Sequence, residues 1–337
     1  MTGCSDDDPA TPSSQTSNLS FGVSDEWLNG TRAIVDDADD LKSASFCVLG
    51  KYSSGSTYNA SNLTTVFGGG TNAWDMVSWD SNLGTSGEWT YAPAQKWVAN
   101  STFRFCAYWP YSSSVRLSGD LANTVTLTGF SVNSNPTKQE DLLISDIPQV
   151  VVTSPLSAPG VDFNFRHALC RVNFKIKKHT DARDEDKFTV TKVELSGMYA
   201  SGTLTSTYSN NKWTDEWTGS TDLLNFNQSV SSTAGVVPDD KVSTTAKIWT
   251  NDLMCIPQVP STISIIVYFD VVNNGETKHA SAVMALPAIS TPAPPAWEAG
   301  KVYSYTVAIN ESHDIIFAEP DIEPWVESQA GGTIIIK

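Results

Sequence analysis

Apolar and polar residues alternate with a period of two along most of this chain, the pattern of strands that bury one face. Leu19, Phe21 and Val23 form a short first run, and SFCVLGKY (45–52) a second. FRFCAYWPY (103–111) sets Phe103, Phe105, Ala107 and Trp109 against Arg104, Cys106 and Tyr108. It reads as a central strand closed by Pro110, since proline cannot continue a ladder. VTLTGFSV (125–132) is a further strand, and EDLLISDIPQVVV (140–152) leads to a boundary. In the second half KFTVTKVELSGM (187–198) is a long alternating strand. A hairpin follows with its turn near Asn210 and Asn211, and Asn274–Gly275 marks a second hairpin. Residues 301–310 and 313–318 are expected to pair. The stretch 25–43 lacks the period and is expected to be a loop, and AWEAGKVY (296–303) is the one plausible helical turn.

The run VDFNFRHALCRVNFKIKK (161–178) organises the rest. Val161, Phe163 and Phe165 share one parity; after Arg166 and His167 the apolar set shifts to Ala168, Cys170, Val172, Phe174 and Ile176. A one-residue slip turns every later side chain to the opposite face. A bulge near Arg166–His167 is the expected repair, keeping both halves on one core. The Pro- and Ser-rich SPLSAPG (154–160) just before it breaks regular structure. With 337 residues there is room for two cores. Strands at regular spacing between turn signals indicate β-sandwiches. The expected division is a leader and linker over 1–18, one sandwich over 19–157 and a second over 158–337. Both are all-β, mostly antiparallel, with little helix.

Composition adds limits. Charged residues are only 17% and the net charge is −16, which opposes binding to nucleic acid or to anionic membranes, both of which need basic patches. No run of eighteen apolar residues encodes a membrane helix. MTGCSDDD at the start reads as the tail of a bacterial lipoprotein signal, with Cys4 as the acylated residue. The Met upstream of it suggests a start codon assigned too late or a trimmed chain, and a disordered acidic tail is the plainer alternative. Cys47, Cys106, Cys170 and Cys255 each sit singly in an apolar run, so four reduced core cysteines are expected, with a disulfide as the minority reading.

Motifs of nucleophilic catalysis and of metal binding are missing. An enzyme stays open as the minority reading, since a glycosidase needs only two carboxylates at roughly 5–10 Å, a distance that sequence does not display. His167, His179, His279 and His313 lie far apart without zinc-site spacing, and no GxSxG occurs. His167 is expected to be a hydrogen-bonded core residue. Asp36, Asp37, Asp39 and Asp40 lack calcium-loop spacing and read as a solvated loop. Gly68–Gly69–Gly70 is expected to be a flexible turn rather than a phosphate loop. Neither a metal nor a cofactor is expected. Trp74, Trp79, Trp89, Trp97 and Trp109 crowd the first half. They either fill and cover a core or make a sugar-stacking face.

FNFRHALCRVNFKI resembles the central signature of the fimbrillin-like family, the type V pilins and related surface lipoproteins of Gram-negative anaerobes. MTGCSDDD, FRFCAYWPY, EDLLISD, LMCIPQ, WEAGKVYSYTVAIN and IEPW follow the family's order, so the likeness spans nearly the whole chain. It implies two tandem transthyretin-like β-sandwiches, no enzyme activity, display on the outer membrane through a lipid on Cys4, and other pilin subunits as partners. It further implies cleavage after an Arg that follows the first strand, here between Arg32 and Ala33, and donor-strand exchange. The candidate donor lies in 331–337, where Thr333, Ile334, Ile335 and Ile336 precede the final Lys. Ile334 and Ile336 share a face, and Gly331–Gly332 would let the segment swing. The same residues also suit an ordinary last strand. The expected function is a structural or adhesive pilus subunit. The alternative is a lipid-anchored carbohydrate-binding module of a glycan uptake system, with a surface glycan or protein as its partner.

Overall fold

The structure is a computed structural model that describes residues 17–23, 38–210, 212–239, 241, 246–247, 252–287, 289, 296–317 and 320–325. It is built from β-sheets. An eight-stranded sheet dominates the first half, in the order Phe165–His167, Leu143–Ser145, Ser101–Trp109, Phe46–Ser54, Met76–Asp80, Glu88–Thr90. Gln149–Val152 adds to Ser101–Trp109, and Thr64–Gly68 adds to Phe46–Ser54. Its two central strands are buried on both faces, for a reason visible in their parity. Phe103, Phe105, Ala107 and Trp109 enter one core with Phe46 and Val48. The opposite parity, Cys106 and Tyr108 with Cys47 and Leu49, enters another.

The second half is a sandwich. One sheet pairs Cys170–Lys178 in parallel with Lys301–Ile309 and carries Leu253–Cys255, Ile315–Phe317 and Asp321–Pro324 at its margins. The other has the order Leu223–Ser229, Lys187–Tyr199, Ser264–Asn273, Glu276–Ala285. Phe174, Phe188, Leu195, Phe269 and Tyr305 are among the side chains that fill the space between them. The pair 301–310 and 313–318 forms as expected, over Lys301–Ile309 and Ile315–Phe317. Two local expectations fail. Within 25–43, Ala38–Leu41 makes one α-helical turn. Lys301–Ile309 begins as a strand directly after a turn, without the helical turn expected there.

A four-stranded sheet joins the halves. The hairpin Arg116–Gly119 and Thr124–Ser131 comes from the first half, and the hairpin Ser201–Ser209 and Lys212–Gly219 from the second. They pair through Thr124–Ser131 and Ser201–Ser209, with Thr126 opposite Thr205. Leu117, Val125, Leu127 and Leu204 of this sheet cover the second face of the eight-stranded one, where Cys47 and Cys106 lie. That cover explains the apolar parity there. All four described cysteines are buried and unpaired. Burial pushes the Cys47 and Cys106 thiols up to about 12, so they pack as apolar groups.

The parity change in 161–178 has a different cause from the expected bulge. Val161–Phe163 and Phe165–His167 pair with first-half strands, Phe21–Val23 and Leu143–Ser145, and Phe163 and Phe165 fill the first core. Cys170–Lys178 opens the second sandwich. Ala168 and Leu169 bridge the two, wholly buried in the shared core. The chain changes sheet and core between His167 and Cys170, so the two parities serve two cores.

The Gly68–Gly70 turn is also more ordered than expected. The buried Asp75 carboxylate accepts from the backbone N–H of Gly68 at 2.6 Å, Gly70 at 3.1 Å and Asn72 at 2.7 Å. Gly69 has φ +70°, and a Cβ there would overlap the Leu117 carbonyl oxygen, so the turn needs glycine to dock on the joining sheet.

Candidate functional site

The first described element, residues 17–23, is held by backbone pairing at both edges and by its buried side chains. Residues 17–23 run as an inserted strand between two other segments. On one side Leu19 N donates to Gln95 O at 2.9 Å and Trp97 N donates to Ser17 O at 3.2 Å, across an antiparallel bridge between Asn18 and Lys96. On the other side Phe21–Val23 lies parallel to Val161–Phe163, in register Phe21 with Val161, and Val161 N donates to Ser20 O at 2.9 Å. The Tyr91 hydroxyl donates to Leu19 O at 2.9 Å, and the Ser17 hydroxyl donates to Pro155 O. Among the described residues, Val161–Phe163 has no strand partner but this one. Without the first strand, both flanking edges would lose their backbone partners.

The side chains make the floor of a groove. Leu19 and Phe21 are buried, and Val23 packs half-buried beside them. The Phe21 ring is surrounded by five others. It stacks on Phe163 at 5.6 Å, and meets Phe67 at 5.3 Å, Tyr91 at 5.5 Å, Phe105 at 5.9 Å and Phe46 at 6.4 Å. Tilted and edge-on contacts of this kind each add about 0.5–1.5 kcal/mol beyond area burial. Covering three large apolar side chains is worth of the order of 5–9 kcal/mol. Gly22 faces outward beside Asp162, whose carboxylate would overlap a Cβ placed there.

Cys4, Arg32, Ala33, Thr333, Ile334, Ile335 and Ile336 lie outside the described residues. The tryptophans, open to either reading in the sequence, pack as core and cover. Trp97 and Trp109 are buried, Trp74 and Trp89 lie half-buried on the first core, and Trp79 contacts Trp89 edge-on at 5.4 Å. Each histidine finds an aspartate: His167 with Asp141 and His179 with Asp181 at 2.7 Å, His279 with Asp270 at 2.6 Å, His313 with Asp186 at 3.5 Å. Among the described residues no group of three or more His, Cys, Asp or Glu could hold a metal ion, and no helix is long and apolar enough to cross a membrane.

A second constellation, which the sequence did not suggest, lies where the chain changes sheet. Arg166 Nε and Nη2 donate to the two Asp215 oxygens at 3.1 and 3.0 Å, and Nη1 donates to Ser145 O at 3.0 Å. Its Nη2 also reaches the Ser206 hydroxyl, and its plane covers Trp213 at 4.2 Å. On the next residue the His167 ring stacks on Trp325 at 4.1 Å, nearly parallel at 5°. Trp325 N donates to Gly300 O at 2.7 Å, so the end of the described chain is seated in the junction. Arg166 and His167 thus tie the first half to the second.

Asp146 lies beside this junction and accepts from the Asn164 side-chain amide at 3.2 Å. Burial raises its carboxyl above the ordinary 3.8, and the Asn164 bonds and nearby Arg166 offset this only in part. The folded chain therefore holds this proton more tightly than the unfolded one. Stability falls as pH rises from about 3.8 through the folded value, then levels off. Asp146→Asn removes that loss, so its urea midpoint relative to the parent should climb as the pH rises above about 3.8 and then stay level. A difference that does not change with pH would contradict the assignment.

The fimbrillin-like family model matches residues 49–325, the greater part of the chain. Among solved structures, a fimbrial protein from Bacteroides vulgatus superposes with a TM-score of 0.59 at 17% identity, covering 93% of this chain and 100% of its own. A candidate cell adhesion protein from Bacteroides uniformis gives 0.45 at 18% identity, over 94% and 100% of the two chains. One from Parabacteroides distasonis gives 0.46 at 9%, over 93% and 98%. At these identities the B. vulgatus likeness establishes a shared all-β fold, and the two weaker superpositions add nothing to it. No curated protein matches the chain.

Proposed function

Since the chain belongs to the fimbrillin-like family, we propose that it is a structural or adhesive subunit of a cell-surface type V pilus, assembled by removal of its first strand and donor-strand exchange. The observation that supports this reading is the edge-held strand of residues 17–23 over its aromatic floor. A groove that loses such a strand exposes two unpaired backbone edges and an apolar floor, and a strand from a neighbour restores both. Arg32, the first basic residue after that strand, supplies the bond to Ala33 as the site for a trypsin-like protease. The segment 331–337, with Thr333, Ile334, Ile335 and Ile336, is the chain's own candidate donor. The partners are pilin subunits, the same or related. A lipid on Cys4 would hold the precursor at the outer membrane, with its acidic triad Asp6–Asp8 directing it to the surface.

The test uses the full-length precursor in cells that display it. Arg32→Ala should leave the chain uncut and monomeric, and deletion of 331–337 should stop polymerisation with other pilin subunits while the subunit stays folded. Both are read as SDS-resistant, filament-sized species on immunoblots of surface fractions. If both variants assemble like the parent, exchange through this groove is wrong. Cys4→Ala should lose palmitate label and leave the membrane fraction; unchanged detergent partition would contradict the anchor.

A further inference from the structure

We infer that the groove under residues 17–23 is selective for a donor strand that places an aromatic ring where Phe21 lies, carried by a pilin subunit whose donor has Phe, Tyr or Trp at that position. The inference rests on the donor-strand reading above and goes beyond it by naming the partner's chemistry.

The central site of the groove is shaped by rings. Phe163 offers a face, while Phe46, Phe67 and Phe105 approach nearly edge-on, with interplanar angles of 83°, 71° and 81°. Tyr91 closes the side at 5.5 Å and spends its hydroxyl on the Leu19 carbonyl of the strand itself. An aromatic ring fills such a space with both its face and its edges. A branched aliphatic side chain is smaller, cannot stack on Phe163, and leaves part of the volume empty. These walls are themselves fixed. Phe46 and Phe105 come from the doubly buried central strands, and Phe163 also packs against Phe46 and Phe165. The site is therefore poorly able to collapse around a smaller occupant.

The chain's own candidate donor carries no such ring. GGTIIIK offers isoleucine at either position able to occupy the Phe21 site, Ile334 or Ile336. That segment would accordingly fill the groove with the wrong shape at its centre. A related subunit whose donor strand carries Phe, Tyr or Trp between two smaller apolar residues in alternation would fill it well.

Peptide exchange tests this on the full chain. Trypsin at low ratio, or a site-specific protease acting on a sequence inserted after Arg32, cuts the chain there and leaves the first strand bound. Three labelled peptides then compete for the groove: residues 17–25, the same with Phe21→Ile, and residues 331–337. Native mass spectrometry reads the bound fraction. The parent peptide should displace the resident strand, the Phe21→Ile peptide should bind at least about tenfold more weakly, and the tail peptide should bind no better than the Phe21→Ile one. Equal binding by the parent and tail peptides would overturn the inference and make a second copy a sufficient donor, leaving donor-strand exchange intact. If even the parent peptide fails to exchange, the donor-strand reading itself falls, and the selectivity with it.

Discussion

Phe21→Ala is expected to lower the free energy of unfolding by about 3–5 kcal/mol, the range for emptying a buried aromatic site whose walls cannot close in. Phe21 contacts five rings at centroid distances between 5.3 and 6.4 Å, so its loss removes the centre of a cluster. Ser20→Ala, one position away and exposed, should change stability by no more than about 0.5 kcal/mol. Urea denaturation of both variants checks the contrast. The strand's hold depends on that ring, so the variant should also lose residues 17–23 from the groove first. Faster hydrogen exchange at the amides of Val161 and Leu19, which the strand's own pairing protects, would show it. A loss below about 1 kcal/mol would mean that the groove does not depend on its central side chain.

Arg166→Ala should be comparably severe, about 3–5 kcal/mol, because it leaves the mostly buried Asp215 carboxylate without its cation. It also strips a donor from the Ser145 carbonyl and a partner from the Trp213 face. Asp215→Asn in the same chain removes the stranded charge, and the double variant should recover part of the loss. The coupling from the double-mutant cycle measures what the pair contributes across the junction. If the two single changes simply add, the pair is not what ties the joining hairpin to the first half. The two variants probe different regions. Phe21 reports on the cover of the first core, and Arg166 on the seam between the halves.

Much of the first region was legible along the chain. Leu19, Phe21 and Val23 alternate as a strand should, and all three turn toward one core. The floor was legible only in pieces. Phe46, Phe67, Phe105 and Phe163 each sit in an apolar run, but nothing along the chain says that they meet around one ring. Tyr91 carries no signal at all, because its role depends on the Leu19 carbonyl lying 2.9 Å away across 72 residues. The sugar-stacking alternative arose for a related reason. An indole in a strand-like run looks the same whether it faces solvent or, like Trp97 and Trp109, a core.

What the sequence determined by itself was the kind of element and its two faces. Side-chain parity in a strand is set locally, by the pleat, and so the alternation of 103–109 or 187–198 is written in adjacent residues. The family was legible too, through motifs kept in order over nearly the whole chain. What only the tertiary structure decided was which core each face meets. Cys106 and Tyr108 fell on the supposedly polar parity, and they are buried because a hairpin from 201–219 pairs with another from 116–131 and covers them. The parity change at Arg166–His167 could equally mark a bulge within one core or a passage between two. Pairing of Phe165–His167 with Leu143–Ser145, and of Cys170–Lys178 with Lys301–Ile309, settled it as a passage. Such pairings join residues far apart in the chain through backbone hydrogen bonds that any side chain permits, so local sequence does not encode the partner.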